Sequence, residues 1–117
     1  MSSQRKRITQ HIADYYGAEP EFLWAKSPQT AIFRHQHNRR WFAVMMNLSG
    51  SLFGAAHHLD VINVKLPPEW VSQMRIQSGF APAYHMNKQH WLSVRSDDFL
   101  PDEIIENLLS ESFLRTQ

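Results

Sequence analysis

The chain has 117 residues, 12 Lys/Arg against 11 Asp/Glu, 43% hydrophobic and 20% charged residues, and no cysteine. Such a composition folds into an ordinary globular core, with residues 1–117 read as a single domain, and it excludes disulfides, thiol nucleophiles and thiolate-bound zinc. The opening MSSQRKRITQ lacks a signal-peptide apolar core and no apolar run approaches a bilayer span, so a cytoplasmic location and no membrane partner are expected. The net charge of +1 conceals an asymmetry: the first half is basic, with clusters at Arg5–Arg7 and Arg34–Arg40, and the last segment is acidic.

In chain order, Ser2 or Ser3 caps a first helix in which Ile8, Ile12 and Tyr15 or Tyr16 recur at helical spacing, and Gly17 stops it. TAIFRH and WFAVMMNL are rich in β-branched and aromatic residues and read as two strands of a hairpin with a basic tip. SGSLFGAAHHLD reads as a loop. VINVKL then alternates apolar and polar residues like a third strand, with Asn63 and Lys65 as the polar positions and Ile62 breaking the pattern. Pro67 and Pro68 end it, and Pro68 opens a helix through EWVSQMRIQS whose buried side is Trp70, Val71 and Met74. FAPAYHMNKQ reads as an irregular connection and HWLSVRS as a short fourth strand. The last helix starts at Pro101, Asp102 and Glu103 and carries Ile104, Ile105, Leu108, Leu109 and Phe113 on one face. The order is that of an α+β fold.

One block concentrates chemistry. AYHMNKQHW, residues 83–91, holds Tyr84, His85, Asn87, Lys88, His90 and Trp91, and a Leu100-Pro101-Asp102 helix start follows it. Together with VKLPPEWVSQMR and RRWFAVM upstream, these blocks resemble the MmcQ/YjbR family of small, uncharacterised bacterial proteins over nearly the whole chain. YGAE at Tyr16–Glu19 matches a Pro-Gly-Ala turn of the family with Tyr in place of Pro, and the tip HQHNRR departs from the Gly-rich tip common there. The resemblance implies an antiparallel sheet of about four or more strands with helices packed on one side and N- and C-terminal helices flanking. That arrangement is related to frataxin-like and double-wing folds, and DNA is the partner it implies.

The residues themselves leave several chemistries open. His85 and His90 are five apart, not the i, i+4 spacing of a helical metal pair, and no metal or cofactor is assigned. Ser93 is the nearest nucleophile, but no nucleophile elbow or paired carboxylates accompany it, so no catalytic residue is assigned. A structural reading makes Asn87 a left-handed turn residue, with Tyr84 and the imidazoles bracing the middle helix against the last strand. A nucleic-acid reading uses Arg34, His37, Arg39, Arg40 and Lys88 on phosphates; about four such contacts give a logarithmic salt slope near −3.6. The alternative is a protein-interaction or small-ligand domain. It uses a cleft around Tyr84–Trp91, with Trp24, Phe53 and Trp70 as aromatic walls.

Overall fold

The computed structural model describes residues 3–117. Helix α1 (Gln4–Tyr16) starts at Ser3, whose hydroxyl accepts from the Lys6 N–H at 3.2 Å, and ends at Gly17, whose φ of 66° is the left-handed stop that glycine supplies without a Cβ penalty. Ser2, the other expected cap, lies outside the described residues. Strands β1 (Ala31–Arg34) and β2 (Trp41–Ser49) form the expected hairpin, with a register shift at Phe33/Arg34. A 3₁₀ turn over Gly50–Phe53 leads to β3 (His58–Lys65). Helix α2 (Pro68–Met74), β4 (Phe80–Pro82), β5 (Trp91–Arg95) and α3 (Asp102–Arg115) complete the chain. The strands form one antiparallel sheet in the order β1-β2-β3-β5-β4.

The sheet has two unlike faces. On one, Ala31, Phe33, Met45, Ile62, Val64, Leu92 and Val94 pack with Ile8 and Ile12 of α1, Val71 of α2 and Ile105, Leu108 and Leu109 of α3 in the main core. Each fully buried aliphatic side chain there contributes roughly 1.5–3 kcal/mol by removal from water. On the other, Ile32, Val44 and Met46 form a smaller cluster joined by Trp41, Leu48 and Met86. Three helices thus cover one face, and loops partly cover the other.

Several expectations need correction. The segment 80–82 is not irregular: it pairs with β5 as an edge strand, its Pro82 at the end of a three-residue run where the missing N–H is tolerated. The loop after β2 ends earlier than expected, because β3 begins at His58. Gly50 packs so closely on the His57 carbonyl that a Cβ would lie 2.2 Å from that oxygen. Helix α2 is shorter than the EWVSQMRIQS pattern suggests, and Trp70 is 41% exposed, so Val71 with Met74 is its inward side. Ile104 likewise turns outward, 39% exposed, because four adjacent apolar positions exceed the width of one buried stripe. Ile62 breaks the alternation because Val61, Ile62 and Val64 are all fully buried, in a central strand covered on both faces. Asn63, one of the polar positions of that alternation, is also fully buried.

Candidate functional site

The second, loop-covered face holds a groove of about 730 Å³. Its floor is the outward row of β2: Trp41, Val44, Met46 and Leu48. One wall is the loop before β1, with Trp24, Lys26 and the turn residues to Thr30. The other is Tyr84, His85 and Met86. The volume falls within the range of small-molecule sites, roughly 300–1,000 Å³.

Each wall is held by identifiable bonds. In the first, Ser27 N–H donates to Trp24 C=O at 3.2 Å and Thr30 N–H to Ser27 C=O at 3.0 Å, while Arg5 of α1 donates to the Gln29 carbonyl. Just upstream, Glu21 exchanges two backbone hydrogen bonds of 2.9 Å with Ile32, tying this segment to the outer edge of β1. The rings of Trp24 and Trp41 meet edge to face at 5.9 Å.

The second wall rests on a buried polar pair. Asn63 of β3 and Ser93 of β5 face each other in register, and Ser93 Oγ donates to Asn63 Oδ1 at 2.6 Å. Ser93 Oγ then accepts from Tyr84 N–H at 3.0 Å, and Asn63 Nδ2 donates to Tyr84 C=O at 3.1 Å. Both polar ends of one residue's backbone are therefore gripped from the sheet. With its hydrogen engaged on an amide oxygen, the Ser93 hydroxyl is a fastener here rather than an activated nucleophile.

The family-motif residues divide between turn and groove. Asn87 does bond to the main chain, its Oδ1 accepting from the N–H groups of Gln89 at 2.9 Å and His90 at 3.2 Å, and its C=O accepts from Trp91 N–H at 2.9 Å. The left-handed residue, however, is His85, with φ 57°, not Asn87. His90 supplies a carbonyl to Leu66 N–H at 2.9 Å, closing the chain against the end of β3. Tyr84 and His85 are exposed on the groove side with ring centroids 4.0 Å apart, so they do not brace helix against sheet. The reason is topological: the loop crosses the face opposite the helices, where Met86 packs on Ile32, Val44 and Met46. Lys88 is exposed and Trp91 is half-buried at the start of β5. Of the expected aromatic walls, Trp24 lines the groove and Phe53 and Trp70 do not.

The basic hairpin tip is folded against the C-terminal end of α3. His35 is buried, its Nε2 2.7 Å from Thr116 Oγ1 and its ring tilted against Phe113 with centroids 4.1 Å apart. Asn38 Nδ2 donates to Thr116 C=O at 3.2 Å, Arg40 Nη1 to Gln117 C=O at 3.4 Å and Gln36 Nε2 to Gly17 C=O at 2.8 Å. Glu21 takes up two of the cations, lying 3.2 Å from Arg34 Nη2 and 3.5 Å from Arg39 Nη2. His37, Arg39 and Arg40 remain exposed. Among the described residues no three His, Asp or Glu side chains converge as a metal site, and no helix is long and apolar enough to cross a membrane.

The residues that reasoning from sequence missed are Lys26, Trp41, Val44, Met46, Met86 and Asn63. Their signal was in WFAVMM, where apolar residues occupy both faces of one strand and so imply cover on both.

Comparison with known proteins agrees with this architecture. An uncharacterised Bacillus subtilis protein, YyaQ, is 35% identical over 115 residues, which is 97% of this chain and 98% of the relative. The uncharacterised Escherichia coli K12 protein YjbR is 31% identical over 77 residues, 62% of this chain and 65% of its own length. A Pseudomonas syringae protein of known crystal structure superposes with a TM-score of 0.91 at 34% identity, covering 100% of both chains. A Deinococcus radiodurans protein shares the fold at a TM-score of 0.73 and 21% identity, over 97% of this chain and 78% of that one. With the YjbR family model matching residues 13–115, the expected resemblance is secured: the chain belongs to the YjbR family.

Proposed function

We propose that the chain works as one domain whose function is to bind a small, largely apolar ligand in the groove between Trp24 and Tyr84–Met86. The observation that carries this reading is the groove itself: aromatic side chains stay partly open to solvent beside a small apolar cluster on a sheet face that the helices leave uncovered. Trp24 is 41% and Tyr84 38% exposed although each stands beside another ring. Partly exposed aromatic walls gain stacking energy and lose wet apolar surface when a flat ligand enters, each effect being worth on the order of 1 kcal/mol or more.

A second reading, DNA contact through the hairpin, is favoured by the joint exposure of His37, Arg39 and Arg40 at one tip. Two features weigh against a strong phosphate clamp. Glu21 neutralises charge beside Arg34 and Arg39, and the tip is bonded to the end of α3 rather than standing free.

One amide NMR experiment separates the readings. Titration with the neutral probe N-phenyl-1-naphthylamine should shift Trp24–Thr30, Val44–Leu48 and Tyr84–Met86, and Trp24→Ala should weaken that binding about fivefold or more. Titration with a short DNA duplex at low salt should instead shift Arg34–Arg40 if the hairpin is the site, with shifts that fade as salt rises. No response in the groove to the neutral probe would overturn the first reading; no response of the tip to DNA at low salt would overturn the second.

A further inference from the structure

We infer that the groove selects planar aromatic ligands that carry a negative charge, with Lys26 as the anion anchor. The inference rests on the groove reading above and adds the ligand's class. Lys26 is the only permanently charged side chain among the described residues lining the groove, and no carboxylate lines it. The site therefore offers a field of one sign beside an apolar floor. An exposed ammonium at the rim of a groove with apolar walls still attracts an anion seated in that groove, through a field of one sign that no nearby carboxylate cancels.

The aromatic part of the ligand is indicated by the walls. Trp24 and Trp41 stand edge to face on one side, and the Tyr84–His85 pair on the other. Val44 and Met46 make the floor apolar. His85 holds its place with a φ of 57°, a left-handed conformation that L residues other than Asn and Asp adopt rarely. Strain of that kind is commonly kept where a ligand contact uses the side chain. A ring system with one acidic substituent matches this distribution: the ring over Val44 and Met46, the acid toward Lys26.

The test uses two probes that differ by one charge, 1-anilinonaphthalene-8-sulfonate and its neutral parent N-phenyl-1-naphthylamine, with fluorescence titration of the full chain. The wild type should bind the sulfonate about fivefold more tightly, the ratio that a partly exposed ion pair supplies. Lys26→Met should remove the preference while leaving the neutral probe's affinity within about twofold, and Lys26→Arg should restore it. Added salt should reduce the sulfonate preference in the wild type only. Equal affinities for the two probes, unchanged in Lys26→Met, would overturn the anion assignment and leave the groove reading standing. Failure of both probes to bind the wild type would overturn the groove reading and the assignment with it. Because Lys26 lies in an exposed loop, its variants should keep the wild-type thermal midpoint, so a change in affinity reads binding rather than folding.

Discussion

Asn63 shows how much a single polar residue does in this molecule. Fully buried in β3, it accepts from Ser93 and donates to Tyr84, so the loop that forms one groove wall is fastened through one amide. Replacing it by Ala leaves the Tyr84 carbonyl and the Ser93 hydroxyl short of a partner inside the protein, which costs about 1–3 kcal/mol. Asn63→Ala should therefore lower the urea midpoint by a corresponding amount. It should also weaken binding of the neutral probe, although Asn63 is not among the residues lining the groove. A variant with wild-type stability and unchanged hydrogen exchange at Tyr84–Met86 would show that the loop is held by Met86 packing alone. His85 depends on the same fastening, since the residue before it must be fixed for its left-handed backbone to persist.

At the scale of elements, α3 enters the sheet rather than merely resting on it. Ser112 Oγ accepts from Lys65 N–H at 2.8 Å and donates to Phe42 C=O at 2.6 Å. Phe42 and Lys65 would be the next pair of the β2–β3 ladder beyond Ala43 and Val64, and the helix hydroxyl takes that place. Ser112→Ala strands a buried N–H and a buried C=O at once, so a loss of about 1–3 kcal/mol in urea unfolding is expected, larger than for Ser110→Ala on the exposed side. The sequence foretold α3 itself because Leu108 and Leu109 with Ile105 mark a helical stripe, but nothing in SESF distinguishes a serine bonded to a sheet from one in water. The hairpin and β5 were equally legible, through β-branched and aromatic runs bounded by polar turns. The three-residue β4 was not, because FAP is too short to show a period and its pairing is set by β5. For the groove, Tyr84–Met86 of the 83–91 block line one wall and Trp24 lines the other. The face on which they meet is a consequence of strand order, and strand order is not written locally in any one segment.

For the whole molecule, α3 is latched at both ends by groups that titrate in different ranges, so acid should release the two ends separately. At the C-terminal end, Thr116 Oγ1 donates to Ser112 C=O at 2.8 Å, which leaves it to accept from His35 Nε2–H and sets the tautomer of the neutral imidazole, with Nδ1 buried. Burial, with His37 and then Arg40 nearby, holds this imidazole below its ordinary value of 6.5. The folded state thus binds the proton less readily than the unfolded chain, so its contribution is full above about pH 6.5 and is lost as pH falls from there toward the lowered value, with a slope of at most about 1.4 kcal/mol per pH unit. At the N-terminal end, Asp102 accepts from Arg7 Nε at 2.9 Å and Nη2 at 3.0 Å and from Gln4 Nε2 at 2.8 Å, with His11 adding a favourable field. The Arg7 and Gln4 hydrogen bonds hold its carboxyl down to about 2. That contribution is intact above the ordinary 3.8 and is lost as pH falls through about 2. Solvent reaches this pair, which keeps its worth small, but the order of the two losses follows from the direction of the shifts. Amide exchange protection along α3 should decline at Phe113–Arg115 as pH falls below about 6.5 while Ile105–Leu108, the first amides with intrahelical acceptors, stay protected, and this second group should follow only below about pH 4. His35→Gln should erase the first step and leave the second, and Asp102→Asn the reverse. Simultaneous loss of protection at both ends would mean that α3 opens as one unit with the sheet, and that neither latch acts locally.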